Sequence, residues 1–191
     1  EAMTPWEWHK ELFDYAKEKG LLAFSTPFDL TAVDFLETLN PPCYKVASFE
    51  NTDHAILAAV AKTGKPVIVS TGMASQAEIA ESVEVLRSNG CNDIILLKCT
   101  SNYPANPVDA NLKTIPHLSE LSDHTPGVGV AVAAVALGAT VIEKHFVLDR
   151  NGGEVDAEFS LEPHEIKLLV EETARAAVAI GKVNYGATER E

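Results

Sequence analysis

Short apolar runs that each end in a polar cluster, separated by stretches of helical periodicity, narrow the folds open to this chain more than any other feature. Residues 21–24 run into Ser25, Thr26 and Pro27, residues 44–47 into Ser48, Phe49 and Glu50, and residues 66–69 into Ser70, Thr71 and Gly72. Residues 94–97 lead to Lys98, Cys99, Thr100 and Ser101, and residues 139–142 to Glu143, Lys144 and His145. A sixth run, around Leu121, ends in Ser122, Asp123, His124 and Thr125. Runs this short and this apolar suit strands buried on both faces. With longer helical stretches between them they predict parallel βα units.

The helices announce their own ends. Residues 6–19 carry Trp8, Leu12, Tyr15 and Ala16 on one stripe with Gly20 behind it, and residues 30–39 close at Asn40, Pro41 and Pro42. Residues 53–62 start on Asp53 as a cap, and residues 75–87 open with Ser75 and Glu78 in capping-box spacing. A weak helix ends near Leu118, residues 128–137 form a Val- and Ala-rich helix stopped by Gly138, and the last long helix covers residues 163–180. Between His117 and Ser122 helix runs into strand with less connection than is usual. The expectation is that a few residues are missing before Leu121.

Two α/β architectures fit this order, an open doubly wound sheet and a closed (β/α)8 TIM barrel. Polar residues at nearly every strand end favour the barrel, whose whole carboxyl rim is one site; an open sheet concentrates function at one switch point. No G-x-G-x-x-G or Walker motif is present. Six strands against the eight of a barrel predict that residues 1–191 hold strands 3 to 8 with their helices, a partial catalytic barrel without its first two βα units. On that rim His124 and His145 would end adjacent strands.

Composition excludes other classes. A net charge of -13 argues against a nucleic-acid face, and no apolar run is long enough to span a membrane. Nothing at the start reads as a signal peptide. Cys43, Cys91 and Cys99 are spaced for neither a zinc ribbon nor a disulfide framework, which predicts reduced thiols and a cytoplasmic protein.

The motifs YKVASFEN, VIVSTGMAS, LLKCTSNYPANP, LSDHT and GATVIEKHFVLDR, followed by VDAEFSLEP, resemble the catalytic barrel of the sialic acid synthases. VDAEFSLEP and the opening EAMTPWEWHKELFDYAKEKGLLAFSTPFD look closest to the pseudaminic acid synthase branch. The resemblance covers practically all of the chain. It implies a barrel that condenses phosphoenolpyruvate with an open-chain, N-acetylated amino-sugar aldehyde and releases phosphate, aided by a divalent metal, Mn2+ or Mg2+. It also implies a homodimer at full length, because a C-terminal antifreeze-like domain, expected to be absent here, sends an arginine to a partner's site.

By the same resemblance His124 and His145 are the metal ligands and Glu50 the catalytic glutamate that orients or deprotonates a water. Thr26, Lys45, Ser48, Ser70, Ser101 and Ser122 match positions that hold phosphoenolpyruvate, and Tyr103 and Asp156 match sugar-contacting positions. Ser101 replaces a more usual asparagine, and Val155 a proline before Asp156. Lys45 has a physical argument of its own, since a lysine inside a strand is costly unless it points at an anion. Glu143, beside His145, is a candidate to tune that ligand or share the proton work, or to form a salt bridge within the barrel. If Glu143 and His145 face inward, Lys144 faces the helices. Two competing readings stand beside this one: a class I aldolase with Lys98 as Schiff-base nucleophile, and a non-catalytic barrel that binds an acidic sugar.

Overall fold

Five strands lie side by side in chain order, every neighbouring pair parallel: β1 (Tyr44–Val46), β2 (Val67–Ser70), β3 (Ile94–Cys99), β4 (Ser119–Asp123) and β5 (Ile142–Lys144). The computed structural model describes residues 3–188 and 190. The helices are α1 (Trp6–Glu18), α2 (Leu30–Glu37), α3 (His54–Lys62), α4 (Gln76–Ser88), α5 (Ile115–Leu118), α6 (Gly129–Ala136) and α7 (Pro163–Ile180). Parallel neighbours require crossover connections of one hand. The result is an arc of a (β/α)8 barrel, the expected fold.

Alternation decides which side chains meet the helices. Tyr44, Val46, Val67 and Val69 are fully buried in a cluster with Val33 and Leu36 of α2, Leu57 and Val60 of α3 and Leu86 of α4. Lys45, Ile68 and Ser70 therefore face the opposite side, the barrel lumen. The register carries this parity across the sheet, pairing Ser70 with Leu97, Cys99 with Ser122 and Ser122 with Glu143. Leu121 and Ile142 pack outward with Ile115, Ala134 and Ala139. Lys98, Asp123 and Lys144 share that outer parity.

The caps fall where the sequence puts them. The Asp53 carboxylate accepts from Ala55 N and Ile56 N, and Ser75 and Glu78 form a reciprocal capping box at the start of α4. Between His117 and Ser122 the structure keeps the compression seen in the sequence. α5 ends at Leu118 and β4 begins at Ser119, whereas four to six residues separate α2 from β1, α3 from β2, α4 from β3 and α6 from β5.

Two expected strands are corrected. Residues 21–24 belong to no strand; the neighbouring Ser25 carbonyl accepts one bond, from Lys45 N at 3.5 Å. With a neighbour on one side only, and Leu22 80% exposed, no ladder forms. The run predicted at 139–142 becomes a strand only from Ile142. Ala139 N is taken by Ala134 O in the cap of α6, and the Glu120 carboxylate takes the N–H groups of Thr140 and Val141. The strand starts where free backbone donors resume.

Candidate active site

Lys45 is the centre of a hydrogen-bonded chain across the lumen. Its buried ammonium donates to Ser70 Oγ at 2.7 Å and lies 3.5 Å from Glu143 Oε2. The other carboxylate oxygen of Glu143 accepts from Ser122 Oγ at 2.6 Å. Four separate strands thus contribute one cation, one anion and two hydroxyls. Burial pulls the Lys45 pKa down, and Glu143 opposes that pull.

Glu50 closes the 3-10 turn Ser48–Glu50 that follows β1. Its Oε2 is buried without a hydrogen-bond partner, and burial raises its pKa. A carboxyl held in that state is better suited to accept or give a proton near neutrality than a solvated glutamate. Ser48 and Ser101 come together over Gly72, where an added Cβ would stand 2.4 Å from Ser48 Cβ and 2.5 Å from Ser101 Oγ.

The two histidines do converge. Their ring centroids are 5.0 Å apart, with Tyr103 edge-on to His124 at 4.5 Å and Phe159 against His145 at 4.9 Å. His124 Nδ1 lies 3.2 Å from Thr100 O, and since a carbonyl only accepts, Nδ1 carries the proton and Nε2 keeps its lone pair. His145 Nδ1 faces Asp156 Oδ2 at 3.8 Å, which favours the same tautomer. Burial depresses both pKa values, so the imidazoles stay neutral to lower pH than usual.

This donor set fits a divalent cation. Two neutral imidazoles, each with a carbonyl or carboxylate behind Nδ1, are the arrangement that orients ring nitrogens toward a metal. Metal–nitrogen bonds of about 2.1 Å allow centroids this close at one centre. A second candidate group, Glu162, His164 and Glu165, has ligand atoms within 4.8 Å of one another. There the guanidinium of Arg150 already bridges Glu162 and Glu165 and offsets part of their charge.

The rim gathers most of the predicted residues. Lys45, Ser70, Ser122 and Glu143 form one network, Ser48 and Ser101 meet at Gly72, and Tyr103, His124, His145 and Asp156 form another group. Thr26 stands apart, lining an 830 Å3 cleft with Trp6, Phe24 and Phe35 at the open edge beside β1. That cleft and one of about 760 Å3 beside Lys98 both lie off the histidine rim. We place the site at the rim because the perturbed titratable groups converge there. Sequence reasoning missed Gly72, Phe159 and Cys99, whose Sγ is 3.8 Å from His124 Nδ1. The parity of β3 was the available signal for Cys99; no local signal marks Phe159.

An arc of parallel βα units with its ionisable groups gathered at the strands' carboxyl ends defines a βα-barrel protein with a rim site. Residues 1–185 match the NeuB family, and the chain belongs to it. It is 44% identical over 187 residues to a pseudaminic acid synthase of Campylobacter jejuni, covering 94% of this chain and 54% of that protein. It is also 44% identical over 182 residues to an N,N'-diacetyllegionaminic acid synthase of the same organism, covering 91% of this chain and 54% of that protein. The crystal structure of an N-acetylneuraminic acid synthetase from Leptospira borgpetersenii in complex with citrate superposes with a TM-score of 0.92 at 34% identity, over 99% of this chain and 68% of that one. The chain spans about half the length of the curated relatives it matches.

Proposed function

We propose that this chain is the rim-bearing part of a synthase that joins phosphoenolpyruvate to an open-chain N-acetylated amino-sugar aldehyde. The product is a nine-carbon 2-keto sugar acid of the pseudaminic or N-acetylneuraminic type, and phosphate is released. The observation that carries the reading is the convergence, on one lumen face, of the Lys45–Ser70–Glu143–Ser122 network and the His124–His145 pair.

Lys45 supplies the cation for the anionic substrate, with the hydroxyls of Ser48, Ser70, Ser101 and Ser122 as donors. Thr26, off the rim, joins them only if the open edge beside β1 is brought inward by further chain. Tyr103 and Asp156 contact the sugar. His124 and His145 would hold the divalent ion, Mn2+ or Mg2+, which supplies Lewis-acid polarisation of the aldehyde oxygen. The enolpyruvate carbon attacks the aldehyde carbon, the aldehyde oxygen takes a proton, and the resulting cationic carbon accepts water. Glu50 orients and deprotonates that water, Glu143 shares the proton work, and cleavage of the phosphate's C–O bond leaves the keto group.

The outer parity of Lys98 on β3, away from the lumen network, favours the synthase reading over the aldolase one. The whole protein is read as a cytoplasmic homodimer whose remaining units complete the barrel. The test is phosphate release from phosphoenolpyruvate by the full-length protein against a panel of N-acetylated amino hexoses with added Mn2+. His145→Ala is expected to abolish metal-stimulated turnover, and borohydride with pyruvate to leave the protein unlabelled. Unchanged kinetics in that variant, or covalent trapping of pyruvate, overturns the reading.

A further inference from the structure

Asp123 and Lys144 form the last rung of the ladder between β4 and β5, and the two histidines stand one residue beyond it. The ladder itself therefore does not hold their rings 5.0 Å apart. Past that rung the main chains bond elsewhere: His124 O accepts from Ala105 N at 3.0 Å, and His145 O from Leu161 N at 2.9 Å. Neither bond crosses from one histidine to the other. On the lumen face Ser122 and Glu143 join the strands one rung earlier.

Lys144 makes the crossing at the level of the histidines. Its ammonium donates to Asp123 Oδ2 at 2.8 Å and to Thr125 O, so it grips the residues on either side of His124 while itself preceding His145. Asp123 Oδ1 accepts in turn from Thr125 N at 2.9 Å and Thr125 Oγ1 at 2.8 Å, which closes a loop around His124. The Lys144 and Asp123 side chains are 3% and 1% exposed, and a buried pair of this kind is costly to break. Alternation puts it on the outer face, away from the lumen side where the rings converge.

We infer that Asp123 and Lys144 are positioning residues for the histidine pair: the ion pair behind the rings sets the separation of two ligands that belong to different strands. This rests on the metal ligation proposed above for His124 and His145. Two nitrogens serve one cation only while their separation is kept, because metal–nitrogen bonds of about 2.1 Å leave little slack. Charge alone predicts the opposite outcome. Burial does most to keep both imidazoles neutral and the Lys144 cation pushes the same way, so removing that cation without any movement would favour a bound metal ion. The sign of the change in affinity separates the two roles.

Calorimetric titration of the full-length protein with Mn2+ tests it, with Co2+ as a second probe read by its visible absorption bands. Lys144→Met is expected to bind Mn2+ about tenfold more weakly and to shift the Co2+ bands, in protein whose near-ultraviolet circular dichroism is that of the folded state. Asp123→Asn/Lys144→Met removes both charges at once and should also bind about tenfold more weakly, which decides the matter should the single variant fail to fold. Val60→Ala, a truncation in the cluster under β1 and β2, should lower the urea midpoint and leave both metal readouts unchanged. Tighter or unchanged Mn2+ binding in the folded Lys144 variants overturns the inference, as does equal weakening in Val60→Ala. Failure of the unmodified protein to bind Mn2+, or unchanged binding in His145→Ala, removes the ligation itself and the inference with it.

Discussion

Gly72 illustrates how tightly single residues are held at this rim. Its φ of +23° lies in the region that favours glycine, and Ser48 and Ser101 occupy the space a side chain would need. Gly72→Ala is expected to destabilise the protein by about 1–3 kcal/mol and, under the proposed function, to raise the KM for phosphoenolpyruvate through displacement of the two hydroxyls. Urea titration and steady-state kinetics check both; a variant with wild-type values on each would remove the close packing from the account. The residue stood in the sequence as one more strand-end glycine, and nothing local said which chain segments press on it. Asp156 is similar. Its place beside His145 depends on the return of the 152–160 loop, with a φ of +65° at Asp156 itself.

Among the elements, β4 and β5 are joined by polar contacts on both faces. Ser122 and Glu143 meet on the lumen face, while Asp123 and Lys144 meet on the outer face at 2.8 Å with almost no exposure. Asp123 also accepts from Thr125 N at 2.9 Å and Oγ1 at 2.8 Å, which fixes the backbone immediately after His124. Lys144→Met leaves that carboxylate buried without its cation, and the expected loss is about 3–5 kcal/mol, read from the urea midpoint. The double variant Asp123→Asn/Lys144→Met should recover part of it; an unchanged midpoint in the single variant would show the pair to be idle. The outward direction of Lys144 was legible from alternation alone. Its partner was not, because register between strands separated by a helix is decided by packing.

For the molecule as a whole, pH response follows from the buried histidines. The folded pKa values of His124 and His145 are depressed below the unfolded value of about 6.5, so the unfolded state binds protons more readily. The stability they contribute is complete above that value and is lost as pH falls through the depressed values. Glu50, raised by burial, has the opposite sign and relieves a cost as it protonates. Under the proposed ligation, metal affinity falls as these histidines protonate, since a protonated imidazole cannot ligate. Mn2+ binding followed by calorimetry should therefore hold through the ordinary histidine range and weaken as the pH falls through the depressed values, and His145→Ala should remove most of the affinity. Binding that stays flat at every acid pH at which the protein remains folded would remove the imidazoles as ligands.

The sequence by itself determined the order of βα units, the outward direction of Lys144 and the chemical kind of residue at each strand end. These depend on period and on local stop signals, which a short window contains. Tertiary structure decided that residues 21–24 stay outside the sheet, that β5 starts late because Glu120 takes the preceding amides, and that Lys98 opens to a cleft while Lys45 and Lys144 find carboxylates. Each outcome depends on whether a distant segment supplies a partner for a backbone or charged group, and a strand cannot specify from its own residues what arrives beside it.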